Sequence, residues 1–156
     1  MTSDRIIWFG RYEGWLRSVA HGVKDGDNDC IRLAARLFDL MLPDTCTVVP
    51  MPGHNGRADR MLDVATCLSS ISKDAGRNRA LADCLRCRPH ESNYDQKQDR
   101  RTPAPVKMTA RKIGRRRKRG DIYIIDNCIV SGATASAALS AIPSARVCAL
   151  AASSWR

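Results

Sequence analysis

The stretch Asp121-Ile122-Tyr123-Ile124-Ile125-Asp126-Asn127-Cys128-Ile129-Val130-Ser131-Gly132-Ala133-Thr134 constrains the fold more than any other part of this 156-residue chain. Ile122 to Ile125 are β-branched or aromatic without a break, the pattern of a strand covered on both faces in a parallel sheet. The strand ends on an acid, Asp126. A short polar turn follows, and then Ala135 to Ala141, a small-residue segment suited to a helix packed closely on a sheet. Strand, tight turn and helix N-terminus together form an anion site, because the first amides of a helix lack internal partners and carry partial positive charge. The same residues also suit an ordinary strand-turn-helix of another α/β protein.

A second strand-turn-helix stands earlier in the chain. Cys46 to Met51 form a short apolar strand stopped by prolines, Gly53-His54-Asn55-Gly56-Arg57 a glycine-rich basic turn, and Met61, Leu62, Val64, Ala65, Leu68 and Ile71 a helical pattern. Amides at Gly53 and Gly56, with the cation of Arg57, are what a cluster of phosphate oxygens needs. The bland alternative is a βα turn whose arginine is merely solvated. Two further strands are predicted at 81–88 and 145–152, and a helix over 28–41 with an Asn/Asp cap. Residues 2–26 read as a mixed segment. From about 90 to 119 the composition turns polar and then basic, which predicts a long flexible loop, with Val106-Lys107-Met108 as a candidate short strand.

The first motif resembles the phosphoribosyl pyrophosphate (PRPP) signature of the type I phosphoribosyltransferases: apolar residues, two acids, a spacer, then Ser/Thr-Gly-x-Thr. The resemblance implies that Asp126 and Asn127 stand at the catalytic ribose position. It implies that Val130, Ser131, Gly132, Ala133 and Thr134 wrap the 5′-phosphate, and that Pro52, Gly53, His54, Asn55, Gly56 and Arg57 form the pyrophosphate loop. Asn127 replaces the second acid of the pattern, so restoring a carboxylate there should tighten magnesium-dependent binding. Within the superfamily the chain is most similar to the ComF-like, competence-associated proteins, through Tyr12-Glu13-Gly14-Trp15-Leu16-Arg17, Val23-Lys24-Asp25-Gly26 and Val48-Val49-Pro50-Met51-Pro52. No four-cysteine zinc module stands ahead of Tyr12. The implied fold is α/β: a type I phosphoribosyltransferase-like domain over 1–156, with an N-terminal helical approach segment (1–44), a mostly parallel central sheet, helices on both faces and a flexible hood. The implied ligand is PRPP or a nucleoside monophosphate with Mg2+ carried by the substrate, and the implied reaction is phosphoribosyl transfer with release of pyrophosphate. The rival reading keeps the fold without turnover, as a nucleotide-sensing or DNA-handling protein.

Charge supplies an independent signal. The net charge is +10, and Arg111, Lys112, Arg115, Arg116, Arg117, Lys118 and Arg119 place seven cations within nine residues without an acid. PRPP phosphates, a nucleic-acid backbone and an acidic protein would each fit such a run, as would plain solvation. The excess over what a small polyanion needs favours nucleic acid, and the absence of aromatics within it predicts sequence-independent contact. No apolar run is long enough for a membrane span, and the start of the chain is too short for a signal peptide, so a cytoplasmic protein is expected; a homodimer is compatible with all of this. Seven cysteines, an odd number in apolar contexts, suit reduced thiols. Cys84-Leu85-Arg86-Cys87 lacks the second ligand pair of a zinc site, and no protein metal site is expected.

Overall fold

The computed structural model describes residues 3–90 and 105–153. In chain order the elements are β1 (Ile6–Arg11), α1 (Gly14–Asp25), α2 (Asn28–Met41), β2 (Thr45–Pro50), α3 (Asp59–Asp74), β3 (Asn78–Leu81), β4 (Leu85–Cys87), β5 (Met108–Ala110), β6 (Asp121–Ile129), α4 (Ala133–Ala141) and β7 (Ala145–Ala152). Five strands make one sheet in the order β1-β7-β6-β2-β3, every neighbouring pair parallel. The fold is therefore α/β with a central parallel sheet.

Local chemistry explains the helices. Asp27 caps α2 by accepting the Cys30 amide at 2.8 Å, and Ile31, Ala34, Ala35 and Phe38 supply the buried stripe at helical spacing. In α1 the stripe is Leu16, Val19, Ala20 and Val23, ended by Gly26 at φ 80°, a left-handed C-cap that glycine adopts without strain. With α3 these helices cover one face of the sheet, over Cys46, Val48, Tyr123, Ile125, Cys148 and Leu150. Ala135, Ala138 and Ile142, from α4 and its C-terminal end, cover the other face, over Val49, Ile122, Ile124, Val147 and Ala149.

The chain leaves β2 through α3 toward β3 in one direction, and leaves β6 through α4 toward β7 in the other. Right-handed crossovers put those two helices on opposite faces and open a crevice at the carboxyl ends of β2 and β6. The Met51 amide donates to Ile125 O at 2.9 Å, so the two turns emerge side by side from adjacent strands.

Three sequence expectations change. Residues 81–88 do not form one central strand: Asn78–Leu81 is the sheet edge, whereas Leu85–Cys87 pairs antiparallel with Met108–Ala110 in a separate ribbon packed on the α4 face through Leu85 and Met108. Cys84 and Ala82 break the run because Cys84 N turns back to Ala82 O. The segment 1–44 is not helical throughout: ahead of α1 and α2, β1 (Ile6–Arg11) joins the central sheet beside β7. The loop expected over 90–119 is partly regular, since β5 lies within it, and its 91–104 portion falls outside the described residues.

The edge strand β3 is locked by charge. The Arg79 side chain, 1% exposed, donates to Asp39, to Leu42 O at 2.6 Å, to Pro43 O at 2.8 Å and to Ser72 Oγ at 3.1 Å, and Arg77 pairs with the same Asp39 carboxylate. One buried guanidinium thereby ties the end of α2 to α3 and β3.

Candidate anion and ribose site at the end of β6

At the carboxyl end of β6 the sheet ladder is interrupted. Asp126 pairs with Ala149 and Cys128 with Ala151, while Leu150 is passed over both here and opposite β1. Leu150 and Ala151 consequently pack into the same cluster rather than on alternate faces. The register is the same on both sides of the gap, so no extra residue is inserted in either strand.

Beyond the break, Gly132 takes φ 74° and serves as the N-cap of α4. Having no side chain, it offers no acceptor to the first helical amides. Ser131 Oγ accepts from the Ala133 amide at 3.4 Å, and Ser136 N returns to Gly132 O at 2.8 Å. Ser131 is exposed, Ala133 and Thr134 are half-buried, and Val130 is exposed beside them. Ser153 secures the base of the turn by donating its amide to Ile129 O at 2.9 Å and its hydroxyl to Val130 O at 3.0 Å. The N-cap itself supplies no side-chain hydrogen bond, and Ser131 Oγ meets one of the first amides of α4.

The strand does not end on its acid: Asp126, half-buried, is followed by Asn127, Cys128 and Ile129 within β6 before the turn begins. Burial pushes its carboxyl from 3.8 up to about 6, against the Asn127 and Cys128 amides, which favour the ionised form; the Asn127 amide donates to Asp126 Oδ1 at 2.7 Å. The neighbouring Cys128 thiol is pushed up to about 12 by burial and by Asp126, which leaves it un-ionised and inert at neutral pH.

Asn127 does not join Asp126. Its amide group donates to Ala20 O in α1 at 2.7 Å, and its Oδ1 is buried without a hydrogen-bond partner among the described residues. The residue that the motif pairs with Asp126 thus joins β6 to α1 in this structure.

The loop after β2 also departs from expectation. Its amides are not open: Gly53 N donates to Arg57 O at 2.7 Å, Gly56 N to Gly53 O at 2.9 Å, and Arg57 N to Asn55 Oδ1 at 3.0 Å. Asn55 in turn donates to Asp59 at 3.0 Å, so the loop closes on itself. Pro52 is buried, His54 is exposed, and the exposed Arg57 side chain is what the loop presents to an anion. The β4-β5 ribbon is tied to the same loop by Cys87 N on Gly56 O (3.3 Å) and by His90 N on His54 O (2.9 Å). Gly56, at φ 90°, has no room for a side chain, since a Cβ there would lie 2.5 Å from Cys87 O.

Beside this loop lies a cleft of about 320 Å³ lined by Arg57, Ala58, Asp59, Leu62, Asp83 and Arg86. Asp83 and Arg86 were invisible as site candidates in the sequence, because a strand over 81–88 would have made them ordinary surface charges. They form a bonded pair at 2.6 Å. Cys84 and Cys87 are buried free thiols raised above their ordinary range chiefly by desolvation, and no cluster of three metal-ligating side chains occurs among the described residues. No described helix is long and apolar enough to cross a membrane.

The structure therefore sets Asp126 and the Ser131–Thr134 turn on one strand-turn-helix unit, places the Gly53–Arg57 loop on the adjacent strand, and directs Asn127 toward α1. No family model and no curated protein sequence matches the chain.

Proposed function

We propose that this chain binds a 5′-phosphorylated ribose, as PRPP or a nucleoside monophosphate, at the carboxyl end of β6. The observation that carries the reading is the α4 N-terminus, whose N-cap Gly132 supplies no side-chain acceptor, following a strand that holds the half-buried Asp126 carboxylate near its carboxyl end. The amides of the turn, with the Ser131 and Thr134 hydroxyls, suit the phosphate, and Asp126 suits the ribose hydroxyls, which donate best to an ionised carboxylate. Arg57, exposed on the loop after the adjacent strand β2, is the loop's cation for a second phosphate group, once the loop amides exchange their internal partners for ligand oxygens. A single carboxylate fits Mg2+ that arrives on the substrate's phosphates rather than in a protein cage, and there the ion would neutralise phosphate charge. Phosphoribosyl transfer to a nitrogen nucleophile is the reaction that the resemblance implies; the protein's part in it is positioning and charge stabilisation.

A second reading, binding without turnover, is favoured by the engagement of Asn127 with Ala20 and by the self-closed Gly53–Arg57 loop. Calorimetric titration with PRPP and MgCl2, followed by pyrophosphate release across a panel of bases, separates the two. Saturable binding with release supports transfer, and saturable binding without release supports the sensing role. Absence of binding for PRPP and for nucleoside monophosphates alike would end both. Asp126→Ala should weaken PRPP more than inorganic phosphate; equal losses would remove Asp126 from ribose recognition.

A further inference from the structure

The basic run lies at the opposite end of the sheet from the anion turn. Thr47, fully buried in β2 and paired with Ile122, donates its hydroxyl to Arg119 O and accepts from Arg119 N, both at 2.8 Å. Those bonds anchor the end of the run at the amino end of β6. Asp126 is five residues further along the strand, roughly 16 Å away at ~3.3 Å per residue. Between Arg111, whose amide bonds Cys84 O, and this anchor, the chain makes a tight turn in which Arg117 N and Lys118 N both donate to Gly114 O.

The cations of this loop are not neutralised. All seven are exposed. Arg119 donates to the carbonyls of Arg116 and Lys118, but the side chains of Arg111, Lys112, Arg115, Arg116, Arg117 and Lys118 make no hydrogen bond or ion pair among the described residues. Elsewhere Arg32, Arg60, Arg77, Arg79, Arg86 and Arg146 each face a carboxylate. The run alone holds seven positive charges against a net charge of +10, so most of the net charge sits on one loop.

From this placement we infer that the Arg111–Arg119 loop is a docking surface for the phosphodiester backbone of a nucleic acid, independent of the site at the end of β6. Arginine forks match phosphate oxygens, and a run of cations on one turn matches a repeating polyanion better than a single phosphorylated metabolite. A membrane fits less well. The one apolar residue of the run, Ile113, packs inward against the α4-side core, and the exposed aromatics Trp8, Phe9 and Trp15 belong to β1 and α1 at the far edge of the sheet. The loop therefore has no apolar anchor beside its charge. No aromatic on the loop can stack a base, so binding is indifferent to sequence.

The test is fluorescence anisotropy of the full chain with a labelled oligothymidylate strand across a salt series, with phosphatidylserine vesicles as a parallel arm. About four neutralised phosphates give a slope near −3 in log affinity against log salt, so a fourfold rise in salt should weaken binding roughly 60-fold. Arg115→Ser, Arg116→Ser, Arg117→Ser and Lys118→Ser together leave the Thr47 anchor in place. They should abolish oligothymidylate binding while leaving the melting temperature and PRPP titration unchanged. Asp126→Ala should leave the oligonucleotide curve unaltered, and saturating PRPP should not compete. No oligonucleotide binding by the wild-type chain at low salt, unchanged binding by the quadruple variant, tighter binding to vesicles than to the oligonucleotide, or displacement by PRPP would each overturn the inference. The last outcome would do so by showing that the two surfaces are not independent, and would leave the ribose-phosphate reading standing.

Discussion

Asp126→Asn should stabilise the fold at neutral pH while weakening binding of phosphorylated ribose. In the unfolded chain this carboxyl ionises near 3.8; in the fold, desolvation keeps the proton on until about 6. Between those values the native state binds more protons than the unfolded one, so this group makes stability fall as pH rises. Above both, its full destabilising contribution is present: roughly two pH units at about 1.4 kcal/mol each amount to about 3 kcal/mol. Asparagine keeps an oxygen for the Asn127 and Cys128 amides and never ionises, but it introduces an N–H2 that needs an acceptor, so the expected net gain is about 2 kcal/mol. For a chain of this size that raises the melting temperature by roughly 4–8 °C. Urea denaturation of both proteins from pH 4 to 8 checks it. The variant's advantage should be complete above pH 7, shrink through pH 6 and vanish near pH 4. A variant no more stable than wild type at pH 7.5, or a gain that ignores pH, would refute the reasoning and return Asp126 to a structural role. A carboxylate retained against stability at a strand's carboxyl end is the pattern expected of a working residue.

Three further outcomes follow from named contacts. Gly132→Ala should cost about 1–2 kcal/mol in a denaturant titration because its φ of 74° is left-handed, and should weaken inorganic phosphate binding by disturbing the turn; an unperturbed phosphate isotherm would argue against the anion site. Asp39→Ala strands the buried Arg79 guanidinium without a counter-charge and should destabilise by about 3–5 kcal/mol in thermal and urea unfolding. Asn127→Asp, which the motif alone suggests would tighten PRPP binding, should instead destabilise by about 1–3 kcal/mol, since a carboxylate would replace the donor that now meets Ala20 O at 2.7 Å; tighter magnesium-dependent PRPP binding with unchanged stability would favour the motif over the contact.

Much of the architecture could be read in one dimension. Uninterrupted β-branched and aromatic residues from Ile122 to Ile125 required a strand covered on both faces, and helical spacing together with Asp27 and Asn28 placed α2 to the residue. The glycine and small residues after Val130 likewise announced the turn and α4 before any coordinate. These signals are local: each depends on neighbours within a few positions. Helix α1 had the same kind of signal in Leu16, Val19, Ala20 and Val23, but Gly14 and Gly22 diluted it.

What only the tertiary structure decided was where polar groups find partners. Whether the Gly53 and Gly56 amides are open depends on carbonyls that only the folded loop brings to them, and whether Asn127 faces ligand or protein depends on Ala20, 107 residues away in sequence. The strand expected over 81–88 divided because β2 accepts Asn78–Leu81 at its edge, while Leu85–Cys87 finds its pairing partner across the chain at Met108–Ala110. The basic run reads as one loop near the ribose motif in sequence, yet the nine residues of β6 carry the anion turn to the other end of the sheet. Periodicity and turn chemistry are properties of the chain, whereas hydrogen-bond closure, burial and the separation of two charged surfaces are properties of the packed sheet.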